Sequence, residues 1–191
     1  MTLFNALSQI SPLSEKCQTA LCHCSRIENH KAGRFLLTSG QISNNLYYLE
    51  SGLARIFHDI DESREITAWF RGEGEFVFSV HSFLLQQPTN EHIELLEDSR
   101  VCVISYTDLQ QMFIEYPELN HPFRLLYEQY IVVYEKRMEL IFERDLVKRY
   151  QTFCELYAHI TPRLQVKHIA QYLNISQSEL SRVRKRLTMN F

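Results

Sequence analysis

Residues 166–191 read VKHIAQYLNISQSELSRVRKRLTMNF, and the parsing of this stretch decides the fold of the chain. Val166, Ile169, Ala170 and Leu173 recur at three- and four-residue steps, the spacing that gathers side chains on one buried helix face. Asn174 breaks the pattern. Ser176 then offers a hydroxyl to cap a second helix, and Glu179 completes an S-x-x-E capping box. Leu180, Val183 and Leu187 form the inward stripe of that second helix, so Gln177, Ser178, Ser181, Arg182, Lys185 and Arg186 are left facing out. A helix, a tight turn and a second helix with a polar, cationic outer face predict a unit that can lie in the major groove of DNA. Amides and guanidinium forks read base edges there, and the remaining cations meet phosphate. The competing reading is an amphipathic terminal helix with a solvated basic face.

Charge favours the first reading. Residues 163–191 hold six Lys or Arg against one acid, Glu179, a net of +5 in a chain whose total is −3, so the preceding residues carry −8. Cations segregated into one small lobe are the electrostatic footprint of nucleic-acid contact.

Length and composition bound the rest. A chain of 191 residues with 45% hydrophobic content buries one substantial core and a smaller lobe. No apolar run reaches the roughly 18 residues of a membrane span, and the start lacks the cationic and apolar regions of a signal peptide, so a cytoplasmic protein without membrane contact is expected. Five cysteines, an odd number, point to reduced thiols rather than a disulfide framework.

From the N-terminus, residues 3–29 read as helical in pieces, with a helix starting at Ser11-Pro12. All five glycines fall between residues 31 and 105, where short strands alternate with turns, over residues 34–37, 45–50, 53–59, 65–70, 93–97 and 100–104. This predicts an antiparallel barrel or sandwich. Ser105 is placed to cap a helix ended by Pro117, and a long helix follows over residues 118–143. One stripe of it, the set assigned to the dimer helix, runs through Phe123, Leu126, Tyr130, Val133, Arg137 and Leu140, a second through Tyr127, Ile131, Tyr134, Met138 and Ile141. One stripe can cover the chain's own barrel; the other needs a partner, most simply a second copy about a two-fold axis. The alternative is a helix buried between two lobes of a monomer. A helix over residues 145–159 then leads through Thr161-Pro162, the best linker candidate, to the terminal pair.

This order of parts resembles the Crp/Fnr superfamily of bacterial transcription regulators. The residues that carry the resemblance are Lys31-Ala32-Gly33-Arg34-Phe35-Leu36 with Ser39-Gly40-Gln41, then Leu46-Tyr47-Tyr48-Leu49-Glu50-Ser51-Gly52. Gly72-Glu73-Gly74-Glu75-Phe76 and Leu96-Glu97-Asp98-Ser99 leading to Val103-Ile104-Ser105 complete it. The resemblance implies an α+β chain with an N-terminal antiparallel jelly roll flanked by helices as the sensor (residues 1–117). A long dimerisation helix (118–144) and a small helix-turn-helix lobe without a full wing (145–191) follow. It implies a homodimer on palindromic double-stranded DNA, read by Ser176, Gln177, Ser178, Ser181, Arg182, Lys185 and Arg186, with RNA polymerase as a further candidate partner.

Two departures stand out. Nucleotide-binding members carry a Gly-Glu pair and later an Arg before a small residue around the cyclic phosphate, and the matching positions here are Phe78-Ser79 and Thr89-Asn90. A buried phosphate needs a cation or convergent N–H donors. No Lys or Arg lies between Arg71 and Arg100, and His81 and His92 are the only ionisable bases there. Cyclic AMP is therefore not expected to bind in the usual way, and the effector, if one exists, is open. The second departure is the end of the chain, where only Thr188-Met189-Asn190-Phe191 follows the recognition helix, too little for a hairpin wing.

Cys17, Cys22, Cys24 and Cys102 bring to mind oxygen-sensing relatives that hold an iron–sulfur cluster, but the C-x4-C-x-C spacing differs from theirs. No cofactor or metal is expected. No Gly-rich phosphate loop, H-E-x-x-H pair or G-x-S-x-G elbow is present, so no catalytic residue is assigned. The alternative function is a sensor or scaffold whose barrel and basic tail bind protein partners.

Overall fold

The computed structural model describes residues 2–61 and 64–188. Two helices open the chain, α1 (Leu3–Ile10) and α2 (Glu15–Cys24). Ser14 rather than Ser11 starts α2, because its Oγ accepts from Cys17 N at 3.2 Å, while Ser11 closes α1. Eight strands follow, interrupted by one short helix: β1 (Ser25–His30), β2 (Phe35–Leu37), β3 (Asn45–Ser51), β4 (Ala54–Asp61), β5 (Arg64–Arg71), β6 (Phe76–Val77), α3 (Val80–Leu85), β7 (Glu91–Leu95) and β8 (Ser99–Ser105). They form two antiparallel four-stranded sheets, in the orders β1-β8-β3-β6 and β2-β7-β4-β5. Strand β1 replaces the helix expected to continue to residue 29. Every residue from Ser25 to His30 pairs with β8, and the strand's one large apolar residue, Ile27, is 42% exposed, so backbone pairing at a sheet edge outweighs a segment with no apolar period.

Strand β3 shows why the barrel is well determined. Its run Leu46-Tyr47-Tyr48-Leu49 buries both faces: Tyr47 and Leu49 join Leu37, Ile56, Ile93, Val101 and Val103 between the sheets, and Leu46 and Tyr48 meet the helices outside. The outer layer is α1, α2, α4 (Tyr106–Glu115) and the start of α5 (Asn120–Phe142), packed through Leu3, Leu7, Leu21, Leu109, Met112 and Phe123. Ser105 caps α4, its Oγ accepting from Asp108 N at 3.0 Å. At the β3–β4 turn, Gly52 has φ +110°, and a Cβ there would lie 2.9 Å from Ser99 Cα, so no other residue fits.

The C-terminal lobe comprises α6 (Leu146–Leu156), α7 (Val166–Leu173) and α8 (Gln177–Thr188), with Asp145 Oδ1 capping α6 through Val147 N at 2.9 Å. Residues 189–191, where the sequence predicts no wing, lie outside the described residues. The lobe shares a core with the barrel. Leu53 and Phe70 of the barrel cluster with Leu140, Phe153, Tyr157, Ile160, Ile169, Tyr172 and Leu180. Thr161–Arg163, expected as a linker, is a short 3-10 turn fastened down by Arg163, which reaches Glu73 at 2.8 Å and pairs also with Glu97. That ion pair holds the Glu73 carboxyl well below the usual range, at about 2. Gly72 completes the seam, since a Cβ there would lie 2.8 Å from Ile160 Cγ2 and 3.3 Å from the His159 ring. Among the described residues no helix is long and apolar enough to cross a membrane.

Candidate nucleic-acid interface and effector cassette

Helices α7 and α8 meet at a tight turn built as the sequence predicts. Asn174 takes the left-handed conformation at φ 52°, and Ile175 N reaches back to Ala170 O at 3.0 Å. Ser176 Oγ accepts from Glu179 N at 3.2 Å while Ser176 N donates to Glu179 Oε2 at 2.8 Å, a closed capping box. Those donors lower the Glu179 carboxyl below its ordinary value. Leu180 and Val183 are buried, and Ser176, Gln177, Ser178, Ser181, Arg182, Lys185 and Arg186 are all exposed. Arg184 is drawn aside, its Nε donating to Tyr150 Oη at 3.0 Å. On α7, Ile169, Ala170 and Leu173 are buried as expected, whereas Val166 is 39% exposed, and His168 and Tyr172 are buried in its stead. The buried face of α7 is wider than its aliphatic spacing indicates because it meets α8 on one side and β5 on the other.

The long helix α5 spends one of its two stripes on the chain itself. Phe123, Arg137 and Leu140 are buried, Leu126 packs on the outer-layer core, and Tyr130 lies 5.9 Å from Trp69 between ring centroids. Within the set assigned to a dimer helix, Val133 alone is exposed, at 36%. Arg137 turns inward because carbonyls and an aromatic face await it. Its Nη2 donates to Tyr172 O at 2.9 Å, and its guanidinium lies 3.5 Å above the Tyr172 ring. The outward stripe is the second one, with Tyr127, Ile131, Tyr134 and Ile141 between 38% and 64% exposed.

A charged network joining β4, β5 and β7 to α7 escapes sequence reasoning. Arg55, 4% exposed, donates to Glu94 and Glu65 at 2.7 Å each and to Gln171 Oε1 at 3.2 Å. Gln171 Nε2 reaches Glu65 at 3.1 Å, and Arg64 Nη2 reaches Asn174 Oδ1 at 3.0 Å. Burial would raise the Glu65 carboxyl, but the Arg55 pair outweighs it and holds the group below its ordinary value. The partners lie up to 116 residues apart, and no local pattern signals them.

The effector cassette positions come together around hydroxyls and a carboxylate. Ser79, 1% exposed, and Thr89, 8% exposed, face each other at 2.9 Å between their oxygens. Ser79 Oγ also donates to Glu91, whose other oxygen lies 3.6 Å from His58 Nε2. Ser43 and Ser82 close the cluster through Ser43 N to Ser82 Oγ at 2.9 Å and Ser79 N to Ser43 Oγ at 3.4 Å. Phe78 packs on Phe83 instead of facing this cluster, and Asn90 is exposed. A phosphate placed beside Ser79 would meet the Glu91 carboxylate.

Cys17 and Cys102 are buried on the helix-facing side of the first sheet, Cys24 is half-buried and Cys22 exposed. Burial pushes the Cys17 thiol up to about 11 and also raises Cys24 and Cys102, so all three are protonated at neutral pH. Among the described residues no group of three or more His, Cys, Asp or Glu could hold a metal ion.

Residues 27–116 match the cyclic nucleotide-binding domain family. No curated protein sequence matches the chain. The fold is similar to that of CLP from Xanthomonas campestris, described as a c-di-GMP-responsive global regulator, at 19% identity over 93% of each chain with a TM-score of 0.72. It is similar to a CooA variant from Carboxydothermus hydrogenoformans at 15% identity, covering 98% of this chain and 85% of that one, TM-score 0.74. FixK2 from Bradyrhizobium japonicum shares 14% identity over 87% and 85% of the two chains, TM-score 0.72. A Eubacterium rectale protein assigned to the Crp/Fnr family reaches a TM-score of 0.74 at 16% identity, covering 97% of this chain and 88% of that one. The jelly roll is thus similar to cyclic nucleotide-binding domains over residues 27–116, and from barrel to helix-turn-helix the fold is that of the Crp/Fnr-type structures.

Proposed function

We propose that the protein is a sequence-specific, DNA-binding transcription regulator that acts as a homodimer. The observation that carries this reading is α8. Its N-terminus is closed by a capping box, its apolar side is locked into a shared core, and its exposed side presents amide, hydroxyl and guanidinium groups in one row. Gln177, Ser178 and Arg182 read base edges; Lys185 and Arg186 meet phosphate. The outward stripe of α5 supplies the dimer contact, an isologous packing of Tyr127, Ile131, Tyr134 and Ile141 about a two-fold axis. In this reading residues 1–117 sense, 118–144 dimerise and 145–191 bind a palindrome, from where the regulator can engage RNA polymerase.

The cassette argues that cyclic AMP is not the signal. Ser79, Thr89 and Glu91 satisfy one another, and His58 lies 3.6 Å from the other oxygen of that same carboxylate. The same carboxylate disfavours any phosphodiester at this point, so the response to c-di-GMP described for CLP is not carried over. Selection of bound duplexes from a random pool, with and without cyclic AMP, tests the reading. A palindromic site recovered equally in both arms is the expected result. Enrichment only with cyclic AMP overturns the cassette argument, and no enrichment at all favours a scaffold role for the barrel and basic tail.

A further inference from the structure

Between β2 of one sheet and β3 of the other lies a cleft of about 430 Å3, within the range of small-molecule sites, about 300–1,000 Å3. Leu36, Leu37, Ile42 and Tyr47 give it apolar walls, and Gln41 and Asn44 bring exposed amides to it. Leu37 and Tyr47 belong to the core between the sheets, so the floor of the cleft is barrel core. Tyr47 is only 8% exposed, yet its hydroxyl is loosely held. It donates to Leu36 O at 3.4 Å and accepts from Asn45 Nδ2 at 3.4 Å, both longer than a good hydrogen bond. A buried donor is thus within reach of a better-placed acceptor. Gln41 spends its amide oxygen on Thr38 N at 3.0 Å, which leaves its NH2 to a guest.

Charge selects among guests. No side chain that lines the cleft is charged, and the cation beside it, Arg26, which reaches Asn45 Oδ1 at 3.5 Å, is paired with Glu28 at 2.6 Å. An anion seated against these apolar walls would give up its hydration without gaining a counter-charge. We propose that the cleft binds a small uncharged molecule with an apolar body and a carbonyl acceptor, of the aryl amide or aryl ketone class. The body lies against Leu36, Leu37 and Ile42, and the carbonyl accepts from the Tyr47 hydroxyl and the Gln41 amide. The segment that walls the cleft is bonded to the cassette: Gly40 N donates to Thr89 O at 2.7 Å, Thr89 N to Gln41 O at 2.8 Å, and Ser79 N to Ser43 Oγ at 3.4 Å. A guest that orders this segment therefore reaches Ser79 and Thr89 through direct hydrogen bonds.

The inference does not depend on what α8 reads. Its test is a titration of full-length protein, methyl-labelled at Leu and Ile, with acetanilide and with its anionic counterpart benzoate, followed by NMR. Acetanilide is expected to shift the methyls of Leu36, Leu37 and Ile42 and the amide of Thr89, and to saturate at millimolar concentration; benzoate is expected to bind about tenfold more weakly. Tyr47→Phe keeps the ring and loses only the hydroxyl, and it should weaken acetanilide about five- to tenfold. Ile42→Trp fills the cleft from an exposed position and should abolish binding, with an unchanged melting temperature showing that the fold is intact. Shifts confined to other methyls, or none up to the solubility limit, overturn the site. Equal binding of acetanilide by Tyr47→Phe and wild type overturns the carbonyl contact, and equal binding of benzoate overturns the uncharged class. A Thr89 amide that stays in place while the methyls shift overturns the link to the cassette.

Discussion

His168 lies 6% exposed between α7 and the barrel, and its Nδ1 finds no hydrogen-bond partner among the described residues. Burial, with Arg55 close by, lowers its pKa from 6.5 to about 4. Between those values the unfolded chain binds a proton that the folded chain refuses. Stability is therefore full above pH 6.5 and falls by about 1.4 kcal/mol per pH unit below it until the folded pKa is reached, for a total of about 3 kcal/mol. Melting temperature against pH for wild type and His168→Gln checks this: the slope between pH 6.5 and 5 should flatten in the variant, and identical slopes would contradict it. Gly72→Ala acts on the same seam from the other side, forcing a methyl 2.8 Å from the buried Ile160. Overpacking there should cost about 1–3 kcal/mol, read as a lower urea midpoint, and an unchanged midpoint would show that the seam is loose. Neither residue announces itself in the sequence. A histidine on a helix and a glycine in a turn have many bland explanations, and only the close approach of a second element makes them critical.

Elements were more legible. The S-x-x-E box, the Asn174 stop and the amphipathic period of α8 are local, so residues 174–187 could be assigned from spacing alone. The two stripes of α5 were equally visible, but not which one faces inward, because Arg137 reads as a polar interruption until the Tyr172 carbonyl and ring are placed beneath it. Strand β1 was missed because an edge strand needs only backbone pairing, which leaves no apolar period to detect. At this scale Ile131→Glu should convert a dimer to a monomer in sedimentation analysis. Ile131 is 64% exposed, so monomer stability should shift by no more than about 0.5 kcal/mol. A sedimentation profile that stays dimeric would remove the outward stripe from the interface. The cassette around α3 gives a second test: cyclic AMP in millimolar excess should leave the melting temperature unchanged, since a ligand that does not bind the folded state cannot stabilise it. An upward shift would place a nucleotide against Glu91 after all.

Across the whole molecule, the sequence shows two lobes of opposite charge but hides their union. Phe70 of the barrel sits among Phe153, Tyr157 and Tyr172 of the lobe, and Arg55 joins strands to a helix 116 residues away, relations that no window of sequence contains. In the proposed reading, a barrel fused to the C-terminal lobe through a shared core transmits a barrel rearrangement directly to α8, without a loose hinge between them. The account stands or falls on whether α8 reads sequence. The decisive measurement is binding of wild type, Arg182→Ala and Lys185→Ala to the selected palindrome and to random duplex, each across a range of salt. The account predicts that Arg182→Ala loses about 1–3 kcal/mol on the palindrome alone, and that Lys185→Ala loses affinity on both duplexes with a salt slope reduced by about one. Equal affinity of the wild type for palindrome and random duplex at every salt concentration would contradict it.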